Sequence, residues 1–301
     1  MTPKKINNSP FRYPGGKFYA RKIILKNLPK HNKYVELFAG GASIFFAKEK
    51  AELNILNDLD SELMNCYLII RDNVEGLIEK LKGIQATKEL HRYYKNEFKP
   101  GDKLERAFRY YYLNRTSYSG IMKTANCYFG YGEKYSMRPE NWPFHLRTCS
   151  QKLQNVILLN KDFEEVLYEL EDGCFIFIDP PYFNADQDKF YNCTFSKEDH
   201  YRLARALKSY KSNFKFLITY DNCEEISDTY SWCNQILPQE WNYTIARTDD
   251  QKNKLKLEHG FIGSRTKGKE IFISNYNQEK AIGVREIKYT QVEHPELSFK
   301  L

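Results

Sequence analysis

The chain has 301 residues, 42% hydrophobic and 28% charged, which allows one large or two modest globular domains and argues against long intrinsic disorder. Its longest apolar runs, such as residues 174–178, fall far short of the ~18 needed to span a bilayer, and residues 1–10 carry no apolar signal region, so neither a membrane span nor secretion is expected. Seven scattered cysteines, with no Cys-x-x-Cys and no Cys/His cluster, argue against a disulfide scaffold or structural zinc and fit reduced thiols in a cytoplasm.

The net charge is +7 and is unevenly spread. Residues 1–35 hold nine Lys/Arg and no acid, residues 106–160 hold eight basic side chains against Glu133 and Glu140, and a third basic run covers Lys252, Lys254, Lys256, Arg265, Lys267 and Lys269. A basic surface rich in aromatics, here 23 Tyr and 20 Phe, suits a nucleic-acid binder as well as a merely solvated face.

Taken in chain order, residues 34–38 read as a buried strand, followed by the glycine turn Ala39-Gly40-Gly41 and a short amphipathic helix. A second strand is predicted at 53–57, ending at Asp58, and a helix over 60–83 with Leu63, Cys66, Tyr67 and Ile70 on its apolar face. From 85 to 150 the texture becomes rich in Tyr, Arg, Lys, Asn and Gly, which marks an inserted module. Strand and helix alternate again: strand 156–159, helix near 163–170, strand 174–178, a capping-box helix from Ser196 to about 211, and strand 214–219. Two late strands are expected near 241–245 and 270–274. The pattern is α/β, a doubly wound, mostly parallel sheet of Rossmann type with a mostly helical insert.

Three constellations carry chemistry. Gly40 and Gly41 let the backbone approach a ligand above the strand end, and Asp58 stands where a nucleotide-binding sheet places its ribose acid. The strict Gly-x-Gly-x-x-Gly pattern of dehydrogenases is absent. Asp179-Pro180-Pro181-Tyr182 follows a buried strand. Two acceptors, the Asp179 carboxylate and the Pro180 carbonyl, aimed at the N–H groups of an exocyclic amine would free its lone pair, and Tyr182 can stack on a base taken out of a duplex. Arg12-Tyr13-Pro14-Gly15-Gly16-Lys17 combines an aromatic, two glycines and two cations, of which Lys17 can meet a carboxylate. The six histidines form no spaced pair and read as structural, and no metal ligands are assigned.

Together with Asn57-Asp58 and Asn114-Arg115-Thr116-Ser117-Tyr118-Ser119-Gly120, these motifs make the chain resemble the Dam-like (alpha-group) DNA adenine-N6 methyltransferases over residues 10–275. The resemblance implies an S-adenosyl-L-methionine-dependent methyltransferase domain, residues 1–75 and 151–285, a target-recognition domain at 76–150, and a C-terminal tail at 286–301. It implies transfer of the cofactor's methyl group to N6 of a flipped-out adenine in double-stranded DNA. By motif position, Tyr13, Gly15, Gly16, Lys17, Phe38, Gly40, Gly41, Asp58 and Asp179 would bind the cofactor. Asp179, Pro180, Pro181 and Tyr182 would hold the adenine, with Phe183 or Tyr191 as helpers. Arg115, Lys123, Asn126 and Arg138 would meet DNA from the insert, Arg115 serving equally well as a brace. Lys252, Lys254 and Lys256 would grip phosphate. Tyr13 stands where many members have Trp, and the Phe-Asn-Val-Pro string of GATC readers is missing. A cognate restriction endonuclease is a further partner of such enzymes, and a monomer or weak dimer is expected. Two other readings stay open: an RNA adenine or amino methyltransferase, disfavoured by the N-terminal box and basic insert, and a non-catalytic DNA-binding protein on the same scaffold, disfavoured by the intact Lys17, Asp58 and Asp179.

Overall fold

The computed structural model describes residues 8–133, 136–184, 192–210, 212–242 and 267–277. After α1 (Arg21–Asn27) come β1 (Lys33–Glu36), α2 (Ser43–Ala47), β2 (Leu53–Asn57), α3 (Ser61–Asp72), α4 (Val74–Leu81), α5 (Lys88–Asn96), α6 (Lys103–Thr116) and α7 (Trp142–Leu153). They are followed by β3 (Ile157–Leu159), α8 (Phe163–Glu169), β4 (Phe175–Ile178), α9 (Lys197–Ser209), β5 (Lys215–Asp221), α10 (Glu224–Thr229), β6 (Gln235–Asn242) and β7 (Lys267–Ser274). The strands form one sheet in the order β3-β2-β1-β4-β5-β7-β6, parallel through β5, with β7 antiparallel to both its neighbours.

A parallel sheet covered on both faces needs apolar residues pointing both ways, which is why β4 reads Phe-Ile-Phe-Ile and is buried throughout. Tyr34, Leu56, Phe175, Phe177 and Phe272 face one apolar cluster, with α2, α3, α4, α6 and α7. Val35, Ile55, Ile176, Ile178 and Ile271 face the other, with α8, α9 and α10. The doubly wound sheet expected from the strand–helix alternation is therefore present.

Some elements differ in extent from the sequence reading. The helix expected over 60–83 is two, because Asn73 leaves helical geometry at φ −144° and its side chain caps the next helix by accepting from the Gly76 N–H. The capping box at Ser196 and Asp199 forms as expected. The strand expected near 241–245 begins at Gln235 instead, and 243–245 lie outside the described residues. It carries Pro238 because β6 is the sheet edge, where a missing N–H breaks no ladder on the open side. Helices α6 and α7, from the segment expected to be an insert, pack on α3 and enter its apolar cluster, with Tyr111, Tyr112 and Trp142 fully buried. The expected boundaries at 75/76 and 150/151 fall inside α4 and α7.

Candidate active site

The carboxyl ends of β1, β2 and β4 open into one cavity of about 560 Å³. It is the crevice where a doubly wound sheet takes its ligand. At its floor the chain leaves β1 through Gly40, whose φ is +45°. An added Cβ there would meet the Tyr13 ring at 2.8 Å, and one at Gly41 would meet Tyr13 Cβ at 3.0 Å. The glycines thus serve first to let the N-terminal Tyr13 turn lie against the β1 turn, and both turns line the cavity. Asp58 holds the β1 turn: its Oδ2 accepts from the Gly40 N–H at 2.8 Å and its Oδ1 from the Asp60 N–H at 3.0 Å. Burial pushes the Asp58 carboxyl up to about 6, against the pull of those two N–H groups. Each oxygen keeps a second lone pair for a ligand hydroxyl.

Asp179 ends β4 with its Oδ1 2.6 Å from the Lys17 ammonium and accepting from the Thr219 hydroxyl at 2.7 Å. Lys17 is 4% exposed, also donates to the Gly15 carbonyl, and lies 4.8 Å from the centre of the Tyr182 ring. The residues after Tyr182 are pinned by Asp221, which accepts from the Phe183 and Asn184 N–H groups. The Arg12–Lys17 and Asp179–Tyr182 motifs, 162 residues apart by their Lys17 and Asp179 numbering, therefore meet in one ion pair.

The cavity also takes residues that the sequence reading did not single out. Glu36, fully buried, accepts from the Tyr34 hydroxyl and the Phe45 N–H, both at 2.7 Å, and burial pushes it up to about 7. Asp60 caps α3 by accepting from the Glu62 and Leu63 N–H groups. Phe163 and Phe195 join Phe38, which its motif position already assigns to the cofactor, and the three rings pack against one another at centroid distances of 5.4–5.8 Å. Beside them the Arg202 guanidinium forks onto Asp162 at 2.7 and 2.8 Å and covers the Phe163 ring. Asp162-Phe163 lies three residues past the end of β3, where Asp58 directly follows β2, and that likeness of place was the available signal. An acid over a glycine turn, an aromatic slot and a charged floor fit a nucleoside bearing a charged tail.

Among the expected DNA contacts, Arg115 is 7% exposed at the end of α6, while its neighbour Asn114 holds Arg12 through both backbone groups. Lys123 and Asn126 are half-buried on the loop after α6, and Arg138 is exposed before α7. Tyr191, Lys252, Lys254, Lys256 and the 286–301 tail lie outside the described residues. Among the described residues, no group of three or more His, Cys, Asp or Glu could hold a metal ion, and no helix is long and apolar enough to cross a membrane.

Comparison with known proteins gives the site a family. Residues 13–245 match the model of the D12 class N6 adenine-specific DNA methyltransferase family. The Type II methyltransferase M1.LlaDCHI of Lactococcus lactis subsp. cremoris is 31% identical, over 92% of this chain and 98% of that protein. The Type II methyltransferase M.CviBI of Paramecium bursaria Chlorella virus NC1A is 28% identical, over 88% and 98%. The DNA adenine methylase of Haemophilus influenzae is 30% identical, over 61% of this chain and 67% of that protein. The chain belongs to the D12 class N6 adenine-specific DNA methyltransferases, enzymes that methylate the N6 amino group of adenine at specific DNA sites.

Proposed function

We propose that the methyl donor is S-adenosyl-L-methionine and that the acceptor is an adenine flipped out of double-stranded DNA into this cavity. The observation that carries the reading is the opening of Asp179 and Pro180 onto the same cavity as the Gly40–Asp58 turn. The cofactor, when bound, supplies an electrophilic methyl group on sulfur. Asp58 would accept from its ribose hydroxyls, the Phe38–Phe163–Phe195 slot would take its base, and Tyr13, Gly15, Gly16 and Lys17 would close over it.

The amino nitrogen of adenine is a poor nucleophile because its lone pair is delocalised into the ring. The Asp179 carboxylate and the Pro180 carbonyl would each accept one N6–H, favouring a pyramidal nitrogen with its lone pair free for in-line attack. The Tyr182 ring stacks on the base and offsets part of the cost of unstacking it. The surplus proton on the methylated nitrogen leaves along the hydrogen bond to Asp179.

The target-recognition role falls to residues 76–150, supported by their excess of basic and amide side chains and by their place beside the cavity. The likeness to two Type II methyltransferases favours a setting with a cognate restriction endonuclease. The test is incubation of unmodified mixed-sequence duplex DNA with the protein and methyl-labelled cofactor, followed by base-resolved mapping. Label at N6 of adenine within one short sequence is expected. Label on RNA alone, or binding without transfer, would support the two readings that the sequence left open.

A further inference from the structure

Glu270 stands on β7 opposite Asp221 of β5, is 1% exposed, and lines the cavity into which Asp179 opens. No motif marks it, and attack by N6 on the methyl group does not use it. The groups facing it come from three elements. Neither oxygen of the buried Glu270 carboxyl has a hydrogen-bond partner, and the nearby Lys17 ammonium, from the N-terminal turn, and Tyr182 hydroxyl, from the turn after β4, pull toward its charged form. The carboxylates of Asp179, after β4, and Asp221, on β5, oppose it, and burial outweighs all of these and pushes Glu270 up to about 7.

Lys17 is the shared member of this cluster. Its ammonium sits on Asp179 Oδ1, where the Thr219 hydroxyl also donates. A carboxylate neutralised by an ammonium accepts a further hydrogen bond more weakly than one whose charge is only partly met. We propose that Glu270 is a positioning residue for methyl transfer: its ionised carboxylate shares the Lys17 ammonium with Asp179 and so keeps Asp179 a strong acceptor for the target amino group. This rests on the reading of Asp179 as the acceptor for N6. It adds that β7, through one buried acid, sets the strength of the site on β4.

The sign follows from the charge. Below neutrality Glu270 holds its proton, Lys17 is left to Asp179 alone, and the transfer step slows. Above neutrality Glu270 shares the ammonium and the step speeds up.

The experiment is single-turnover methyl transfer at saturating cofactor and duplex from pH 6 to 8.5, in the wild-type protein and in Glu270→Gln, Glu270→Asp and Glu36→Gln. The wild type should show a rise with a midpoint near 7. Glu270→Gln should lose that rise and run about tenfold below the wild-type alkaline plateau, less than the ~10²–10³ of a directly contacting donor. Its Michaelis constants for DNA and cofactor should stay within a few-fold, and Glu270→Asp should restore part of the rise. A wild-type step that is flat with pH would overturn the proposal without any variant. So would a rise that survives in Glu270→Gln and disappears in Glu36→Gln, which would assign it to the other buried acid. Asp179→Ala, run alongside, separates the two levels. If that variant transfers methyl normally, the acceptor reading itself fails. If it is dead while Glu270→Gln matches the wild type, only the role of Glu270 falls.

Discussion

Asn114 holds Arg12 by both of its backbone groups: its Oδ1 accepts from the Arg12 N–H at 2.9 Å and its Nδ2 donates to the Arg12 carbonyl at 2.8 Å. The same amide reaches the Gly120 carbonyl at 3.2 Å. One fully buried side chain on α6 thus ties the N-terminal cavity turn to the loop that carries Lys123 and Asn126. Asn114→Ala removes these bonds and strands the Arg12 groups, at about 1–3 kcal/mol for each buried group left unsatisfied. A lower Tm is expected, together with weaker cofactor binding, because Tyr13 and Lys17 follow directly. Calorimetry of unfolding and of cofactor binding checks both. A variant that loses stability but keeps full cofactor affinity would show that the clamp does not support the turn.

Gly40→Ala meets two obstacles, a φ of +45° and a Cβ 2.8 Å from the Tyr13 ring. The backbone strain alone costs about 1–3 kcal/mol. Tyr13→Ala in the same chain removes the overlap and leaves the strain. The double variant should therefore be less destabilised than the sum of the singles, a coupling that a double-mutant cycle reads directly. Strict additivity would mean that the Tyr13 ring is no obstacle and that the backbone conformation alone demands the glycine.

The parts of this site differ in how far they were legible in the sequence. Asp179-Pro180-Pro181-Tyr182, Gly40 and Asp58 stand in local strings directly after apolar strands, and the structure brings them to one cavity. The sheet was legible for the same reason, since runs such as Phe175-Ile176-Phe177-Ile178 cannot be satisfied except under two layers of helix. Thr219 and Glu270 are different. Thr219 reaches Asp179 because β5 pairs with β4 in the register Ile178↔Ile218, and Glu270 arrives through the pairing of β7 with Asp221. Register between strands forty or more residues apart leaves no local trace. Asn73, likewise, breaks a continuous apolar stripe by capping, and the stripe alone gave no reason to stop there.

Asp179→Ala should abolish methyl transfer, with a loss of at least about 10²–10³ in rate for a positioned acceptor in a dry site. Cofactor binding should weaken far less than transfer, by no more than Asp179's own share of the contacts, since Asp58 and the Gly40 turn stay in place. Lys17→Ala should act on both, because its ammonium touches Asp179 and closes the cavity near Tyr182. Labelled-methyl transfer and calorimetric titration, measured on the same preparations, distinguish the two patterns. Activity of Asp179→Ala within a few-fold of wild type removes it from the chemistry.

With Asp58 as the acceptor for the ribose hydroxyls, cofactor affinity should depend on pH. Its carboxyl is pushed up to about 6 by burial, so it is ionised above that pH and protonated below. The ionised form is the better acceptor for ribose hydroxyls and for the Gly40 N–H. The dissociation constant should be flat above pH 6.5 and should rise by up to about tenfold per unit below 6, the slope for one required ionisation. Asp58→Asn should bind more weakly and show no such slope. Equal pH dependence in both proteins would assign the titration to another group.

DNA reading and DNA gripping should separate by segment. Lys123, Asn126 and Arg138 lie in the insert between α6 and α7, where long polar side chains can reach base edges, and a bidentate contact discriminates by about 1–3 kcal/mol. Lys252, Lys254 and Lys256 alternate with Asn253 and Leu255 in a lysine-rich run, whose charge positions without specifying. Neutralising the three together should weaken binding to every duplex and flatten the log-affinity against log-salt slope by about 0.9 for each phosphate that no longer meets a lysine. Single alanine variants at the insert positions should instead change the ratio between the cognate duplex and its single mismatches, with little change in slope. Arg115 gives the sharper comparison, because it is buried beside the Asn114 clamp. If it braces the insert, Arg115→Ala lowers Tm and relaxes specificity together. If it meets phosphate, the salt slope changes while Tm holds. A lysine set that alters mismatch discrimination, with an insert set that alters only the slope, would reverse the assignment of the two segments.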